Sequence, residues 1–501
     1  MSSLKSMDSS NSKPHVALLS SPGIGHLIPV LELRKRLVAN HGFHVTVFSV
    51  TTTTAPPPKP KTATTTTTLD LVDIFELHVD ISGLVNPNAP FVERVGVTMR
   101  ESLPILRQAI SGMDPRPTTL VVDIFGTDAM KIADEFDMSK YVFITTSAWV
   151  FAFCVFVPTL DEEVEGEYVD LQEPVKIPGC NPVRVEDLVD PMLDRRSQQY
   201  FEFLRTCKGY LSFDGVLVNT WEDLERPTLK AFRENGLLKQ VLKAPIYPIG
   251  PLVKRVGSSG SRSELLEWLD LQPCQSVLYV SFGSAGTVSA KQITELAWGL
   301  ELSQQRFIWV LRPPMEKGGP HDLNDCDDVA NYLPDGFLSR THKLGLVVPT
   351  WAPQEEILGH RSVGGFLSHG GWNSSLESIL SGVPMIMWPL YAEQKMNAAM
   401  VVEELEVGVR VVQLSEVVER EEIAKFVRMV IEGREGKAMR TRVKELQCSG
   451  ERALIENGSS YESMCELARD FEMKLSGGVG PLVYVHTQQM ICLLPLKYST
   501  C

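Results

Sequence analysis

A chain of 501 residues with 44% hydrophobic and 22% charged side chains is long enough for two or three domains with large cores, which excludes a small disulfide-stapled scaffold and a disordered polymer. Its net charge of −14 arises from 48 basic against 62 acidic residues, with no Lys/Arg block or aromatic-basic stripe, so nucleic acid is not an expected partner. The 9 cysteines are scattered and never spaced Cys-x-x-Cys, which argues against a disulfide framework or a thiolate zinc site and for a reducing, cytoplasmic setting.

The opening MSSLKSMDSSNSKPH is polar and lacks the apolar core of a secretory signal, so residues 1–13 are expected to be a disordered N-terminus. From His15 the chain reads as a strand (HVALLS), a glycine turn (SPGIG), an amphipathic stretch (HLIPVLELRKRLVANHG) and a second strand (HVTVFSV), a βαβ unit. The run TTTTAPPPKPKTATTTTT that follows has almost nothing to bury and reads as an exposed loop. Strand-like TLVVDIF, YVFITTS and GVLVNTW each precede a plausible helix, which makes residues 14–250 one α/β domain. The apolar run from Ala148 to Val157 is well short of the ~20 residues that span a bilayer and reads as a buried helix or pocket wall, so stable membrane insertion is not expected.

The stretch YPIGPLVKRVGSSGSRSE shifts to Pro, Gly and Ser and is read as the interdomain connection, with residues 251–263 as the linker. Beyond it SVLYVSFG, FIWVLR, LGLVVPTW, GGFLSH, VPMIMWP and VGVRVV alternate with helical patterns, including one from Ser289. Residues 264–475 are therefore a second α/β domain with a parallel sheet. Two such domains in tandem place a cleft between them at the carboxyl ends of the strands. Residues 476–501 have no period belonging to either domain and read as an atypical C-terminal tail.

The most informative stretch runs from Trp351 to Gln394, WAPQEEILGHRSVGGFLSHGGWNSSLESILSGVPMIMWPLYAEQ. Physically, GGFLSH is a strand, Gly370 and Gly371 form a turn, and Asn373 or Ser374 caps a helix that stops at Gly382. Glycines let the backbone approach a ligand, and exposed N–H groups with the helix dipole favour a phosphate or diphosphate there. Ser374 and Glu377 are also spaced as a capping box, which alone would make them structural. His369 at the strand end, with Trp351, Gln354, Glu393 and Gln394 at neighbouring strand ends, tips the balance towards a site.

This block closely resembles the signature box of plant family-1 UDP-sugar glycosyltransferases, in its spacing W-A-P-Q, G-F-x-x-H-x-G-W-N-S-x-x-E, G-V-P and a terminal Gln, and the likeness extends from about His15 to about Lys474. The resemblance implies the GT-B fold, two Rossmann-like domains facing across a cleft. It also implies that Trp351 would stack on uracil, the Ala352 backbone would bond its edge, and Gln354 and Glu377 would hold the ribose. His369, Asn373, Ser374 and Ser284 would take the diphosphate, and Glu393 and Gln394 the sugar hydroxyls, with Trp372 beside them. Gly370 stands where many members have Cys, and Glu393 where many have Asp, one methylene shorter. The terminal Gln is typical of glucose users, so UDP-glucose is the expected co-substrate, with no permanently bound cofactor and no metal. A monomer is expected.

On the acceptor side, His26 follows SPGIG at the first βα turn, where an imidazole with an unperturbed pKa of ~6.5 can take a proton near neutrality. Asp123 ends the otherwise apolar strand TLVVD, and a carboxylate there needs a donor that an imidazole N–H can supply. In the family the His and Asp of these patterns are the catalytic dyad. Ser21 and Glu93 align with family positions near the acceptor, and the run TSAWVFAFCVFVP offers Trp149, Phe151, Phe153 and Phe156 to an aromatic pocket. The implied reaction is a single inverting displacement giving a β-D-glucoside. The segments EPVKIPGCNPVRVEDLVDPMLDRR, DGVLVNTWEDLE and YPIGPLV resemble the branch that glucosylates hydroquinone and monolignols such as coniferyl alcohol. A flavonoid or anthocyanidin acceptor is the alternative. A nicotinamide-dependent oxidoreductase fails on the fingerprint, because Ile28 occupies the third glycine position and the second strand ends without a ribose-binding acid. A silent binding protein on the same fold would be expected to have lost His26 or Asp123, and both are present.

Overall fold

Val16 and Leu18 of the first strand pack into one apolar cluster and Ala17 and Leu19 into another, all at most 1% exposed. A strand covered on both faces is what a near-continuous apolar run without polar alternation specifies. The computed structural model describes residues 13–52, 74–86, 89–254, 264–314, 329–411 and 417–475. Residues 1–12, nearly all of the Thr/Pro run, linker residues 255–263 and the tail from Ser476 lie outside the described residues.

Among those residues the strands form two all-parallel sheets. The first contains β1 (His15–Ser20), β2 (His44–Thr52), β3 (Ile74–Val79), β4 (Thr119–Asp123), β5 (Ser139–Ile144), β6 (Gly215–Val218) and β7 (Ile246–Pro248), in the order β3-β2-β1-β4-β5-β6-β7. The second contains β8 (Val277–Ser281), β9 (Arg306–Leu311), β10 (Gly345–Pro349), β11 (Val363–Ser368), β12 (Met385–Met387) and β13 (Gly408–Arg410), in the order β10-β9-β8-β11-β12-β13. Both follow the doubly wound order in which the chain reverses direction beside the first strand, and ligands bind at that switch point. In the first sheet it lies between β1 and β4, and in the second between β8 and β11.

The two edge strands β3 and β7 were not anticipated. β3 alternates buried and exposed residues, and β7 has three residues ending in a proline, so neither carries the apolar run of an interior strand. β7 overlaps the start of the Pro/Gly-rich stretch that reads as a connection. Arg36 also binds the Ile249 and Pro251 carbonyls there, so the chain leaves the first sheet under restraint.

A single apolar cluster passes from Ala17 and Leu19 under the first sheet, through Trp221 and Trp372, to Val277 and Tyr279 under the second. The last helix, Ser459–Leu475, returns to the first sheet. Its Phe471 is fully buried against Phe43 and against the ring of Tyr141 at 4.8 Å between centroids, and the Tyr247 hydroxyl donates to Asp470. Lys474 pairs with Asp137 at 3.0 Å. Among the described residues no helix is long and apolar enough to cross a membrane.

Docking of this helix should depend on its one large buried ring. Phe471→Ala is expected to destabilise the protein by roughly 3–5 kcal/mol, the usual result of deleting a core aromatic. Denaturant unfolding measures it, and a loss below about 1 kcal/mol would show that the helix is not held by this contact.

Candidate active site

β1 ends at Ser20, and Gly23 then takes φ 114°, a conformation suited to glycine, to start the helix Ile24–His41. This turn places His26 in the helix's first turn, beside the end of β4. There Asp123 is fully buried and accepts from the Ser21 backbone N–H at 2.8 Å, from the Ser21 hydroxyl, and from the Phe125 N–H at 3.2 Å. His26 Nδ1 lies 3.3 Å from Asp123 Oδ2. The ring is not angled for a hydrogen bond, and Nδ1 is buried without another partner. The pair is therefore in electrostatic contact, and a small ring rotation would close the hydrogen bond. Ser21, expected near the acceptor, donates to and orients this carboxylate.

Across the cleft β11 ends at Ser368 and is followed by His369, Gly370 and Gly371. The imidazole of His369 is clasped between glycines: a Cβ on Gly283 would stand 2.5 Å from its Cε1, and one on Gly371 2.6 Å from its Nε2. Burial pushes its pKa down to about 4, so at neutral pH it is an uncharged donor and acceptor. Its Nδ1 has no partner. Gly370 has φ 85°, which explains a glycine at that turn. Ser284 lies exposed in the loop after β8, on the other side of the same switch point.

The helix Trp372–Leu380 is capped by Gly371 with no side-chain hydrogen bond, so the predicted cap at Asn373 or Ser374 and the capping box with Glu377 are not formed. Gln354, from the short helix Gln354–Leu358, instead donates to Ser374 Oγ at 3.0 Å and to Glu377 Oε2 at 2.6 Å. The competing partner explains the difference, because each side chain reaches Gln354 rather than a backbone N–H. The first-turn N–H groups remain directed at the cleft. Asn373 Nδ2 donates to the Gly25 carbonyl of the opposite domain at 2.7 Å, while its Oδ1 is buried without a partner. Trp372 is 2% exposed and its indole N–H donates to the Asn219 carbonyl at 2.9 Å. Its side chain thus joins the two domains.

Trp351 is 70% exposed, an indole with a free face next to buried Ala352. Gln394 is buried, and its Oε1 accepts from the Leu390 and Tyr391 N–H groups at 2.8 and 3.1 Å. The amide NH₂ is left as its remaining polar group, within reach of the Tyr391 hydroxyl. Glu393 lies in the field of His26, and burial raises its pKa against the opposing pull of its own N–H and of that imidazole. Glu377 borders a groove of about 580 Å³ shared with Lys254 and Glu355.

On the acceptor side the ring of Phe125 is 5.4 Å from His26 and 5.9 Å from Phe91, which is 52% exposed. Glu93 lies in the first turn of the helix that Phe91 begins. The sequence reading missed both phenylalanines, although Phe125 stands two residues after Asp123. Trp149 is buried at the start of the helix Ala148–Glu163, with Phe151, Phe153 and Phe156 also buried. Its Nε1 lacks a partner. The Ala148 and Trp149 N–H groups donate to the buried Glu225, another residue not singled out from sequence. No cluster of three or more His, Cys, Asp or Glu side chains able to hold a metal occurs among the described residues.

Residues 262–445 match the family model described as UDP-glucoronosyl and UDP-glucosyl transferase. The chain is 51% identical over 469 residues to anthocyanidin 3-O-glucosyltransferase 5 of Manihot esculenta, covering 92% of this chain and 96% of the relative. It is 43% identical over 471 residues to hydroquinone glucosyltransferase of Rauvolfia serpentina, covering 92% and 99%. Among solved structures, TcCGT1 in complex with UDP superimposes with a TM-score of 0.83 at 47% identity, covering 92% of this chain and all of that one.

Glu377 supplies a test of the electrostatics. Burial pushes its carboxyl up to about 7, outweighing the Gln354 N–H that favours the ionised form. An acid whose folded-state pKa exceeds its unfolded value stays protonated in the fold while the unfolded chain ionises. Stability therefore falls as pH rises from about 4.5 to about 7, and no further above that. Glu377→Gln removes this loss, so its melting temperature relative to the parent should be higher at pH 8 than at pH 5. An equal difference at both pH values would contradict the assignment.

Proposed function

Because the chain belongs to the plant family-1 UDP-glycosyltransferases, we propose that it transfers glucose from UDP-glucose to a hydroxyl of a small phenolic acceptor, giving a β-D-glucoside and UDP. The observation that carries this reading is the placement of His26 Nδ1 3.3 Å from buried Asp123 Oδ2, with the diphosphate-side helix bonded to the turn before His26 through Asn373. A base in one domain thus faces an anion-binding helix start in the other.

In this mechanism Asp123, fixed by the donors from Ser21 and Phe125, holds the proton on His26 Nδ1 and leaves Nε2 as the base. The acceptor oxygen attacks the anomeric carbon while its proton passes to Nε2. The bond from that carbon to the diphosphate oxygen breaks on the opposite face, and UDP leaves with the electron pair. An α-linked donor therefore gives a β product. Charge on the leaving diphosphate meets the N–H groups at the start of Trp372–Leu380, the Asn373 side chain and neutral His369, all oriented beforehand. Trp351 stacks on uracil, with Ala352 at its edge; Gln354 and Glu377 hold the ribose. Ser374 and Ser284 assist at the diphosphate, while Glu393 and Gln394 read the sugar.

Phe125 and Phe91 beside His26 support an aromatic acceptor, with Glu93 and Trp149 on the same side. Hydroquinone and monolignols are the first choice. The 51% identity to an anthocyanidin 3-O-glucosyltransferase favours anthocyanidins as a second. All are phenols, so one panel with UDP-glucose and product mass detection separates them. The six free cysteines among the described residues support the reducing cytoplasm as its compartment, and we propose that it acts there as a monomer.

His26→Ala should lower turnover by roughly 10² to 10⁴, the usual contribution of a general base, with UDP affinity by calorimetry nearly unchanged. Asp123→Asn should lose activity through the same pair, so the double variant should be scarcely worse than the worse single one. The reading is falsified if correctly folded His26→Ala glucosylates a weakly acidic alcohol at the parent rate.

A further inference from the structure

The loop that carries Glu393 and Gln394 is held from the opposite domain. Asp190 Oδ2 accepts a hydrogen bond from the Ala392 backbone N–H at 2.8 Å. Ala392 has φ 58°, the left-handed region that a residue with a β-carbon occupies only when its surroundings impose it. On its other side the loop is closed by the Gln394 carboxamide, whose oxygen takes the Leu390 and Tyr391 N–H groups. The loop is thus pinned at two points, one in its own domain and one in the other.

Asp190 itself is well anchored. Three residues before it, buried Asp187 pairs with Arg410 of β13 at 2.6 Å and with Arg184 at 2.7 Å, and Arg184 also reaches Glu403 at 2.8 Å. The Asn181 N–H donates to Glu404 at 3.2 Å. Residues 181–190 of the first domain are therefore docked on the second by several polar contacts, of which Asp190 alone meets the sugar loop among those described.

We propose that Asp190 is a positioning residue for the donor sugar: by holding the Ala392 N–H it fixes Glu393 and Gln394 in the geometry that grips the sugar hydroxyls, so that sugar binding depends on the seating of the first domain on the second. This rests on the reading that Glu393 and Gln394 hold the sugar. A carboxylate suits the task because a charge-assisted acceptor holds a backbone N–H more firmly than a neutral one. The uracil, ribose and diphosphate contacts lie on other segments, so UDP itself should not sense the change.

The experiment compares Asp190→Ala, Asp190→Asn and Gln394→Ala, measuring UDP affinity, kcat and KM for UDP-glucose, and melting temperature. Asp190→Ala is expected to lose about 10- to 100-fold in kcat/KM for UDP-glucose, the usual effect of a small misplacement of binding groups, while UDP affinity stays within about twofold. Asp190→Asn, whose side-chain carbonyl still accepts, should recover most of the loss. Parent-like kinetics in Asp190→Ala alongside a disabled Gln394→Ala would overturn the positioning role and leave the sugar reading intact. An equal loss of UDP and UDP-glucose binding in Asp190→Ala, or no recovery in Asp190→Asn, would also overturn it. Parent-like kinetics in Gln394→Ala would overturn the sugar reading and this coupling with it.

Discussion

The buried hydrogen bond from the Trp372 indole to the Asn219 carbonyl, 2.9 Å across the domain boundary, fixes where the two sheets meet. A bond of this kind contributes only about 1 kcal/mol net, yet leaving its buried donor unpaired would cost about 1–3 kcal/mol, so the domains are penalised for any other seating. Trp372 is the first residue of the helix that faces the cleft, and Asn219 directly follows β6. The contact therefore acts on the carboxyl ends of both sheets at once. With Asn373 bonded to Gly25, it brings the switch point between β1 and β4 opposite the one between β8 and β11. His26 and Asp123 flank the first; Ser284 and His369 flank the second. The geometry of the cleft follows from that single alignment of two similar sheets.

Polar groups in this alignment are left short of partners in one region. His26 Nδ1, His369 Nδ1 and Asn373 Oδ1 are all buried and unpaired, in a protein class where buried polar atoms are usually satisfied. His26 Nδ1 faces Asp123, while His369 Nδ1 and Asn373 Oδ1 belong to the turn and helix start of the second domain. The carboxylates divide differently. Asp123 has three donors around it. Glu377 and Glu393 are raised by burial and suit hydrogen bonding to sugar hydroxyls more than ion pairing.

Interior strands were legible in the sequence because parallel strands covered on both faces are written as unbroken apolar runs, as in HVALLS and SVLYVS. The edge strands β3 and β7 carry weaker patterns than the edges β10 and β13, which is why they escaped. The dyad and the Trp351–Gln394 block were legible as motifs, since short-range spacing around a βα turn is preserved in the fold. What could not be read were partners chosen across long separations. Gln354 takes Ser374 and Glu377 away from a capping box, Trp372 bonds to a residue of the other domain, and Phe471 returns to the first sheet. Each depends on the arrangement of two domains, and local periodicity contains no information on that arrangement.

The neutral state of His369 has a consequence for the chemistry. Burial between two glycines lowers its pKa to about 4, so in the proposed mechanism it would act on the diphosphate as an oriented dipole and add no formal positive charge. The helix Trp372–Leu380 likewise contributes partial charge through its first N–H groups. Transition-state stabilisation by such fixed dipoles requires no reorganisation as charge develops on the leaving oxygen. It also makes the positions of these groups decisive, because a dipole's effect falls off more steeply with distance than that of a full charge. A site that relies on dipoles must be held rigidly, and Asn219, Gly25 and Asp190 of the opposite domain add to the contacts that hold this one from within its own domain. In the proposed mechanism, domain seating and leaving-group stabilisation are thus linked.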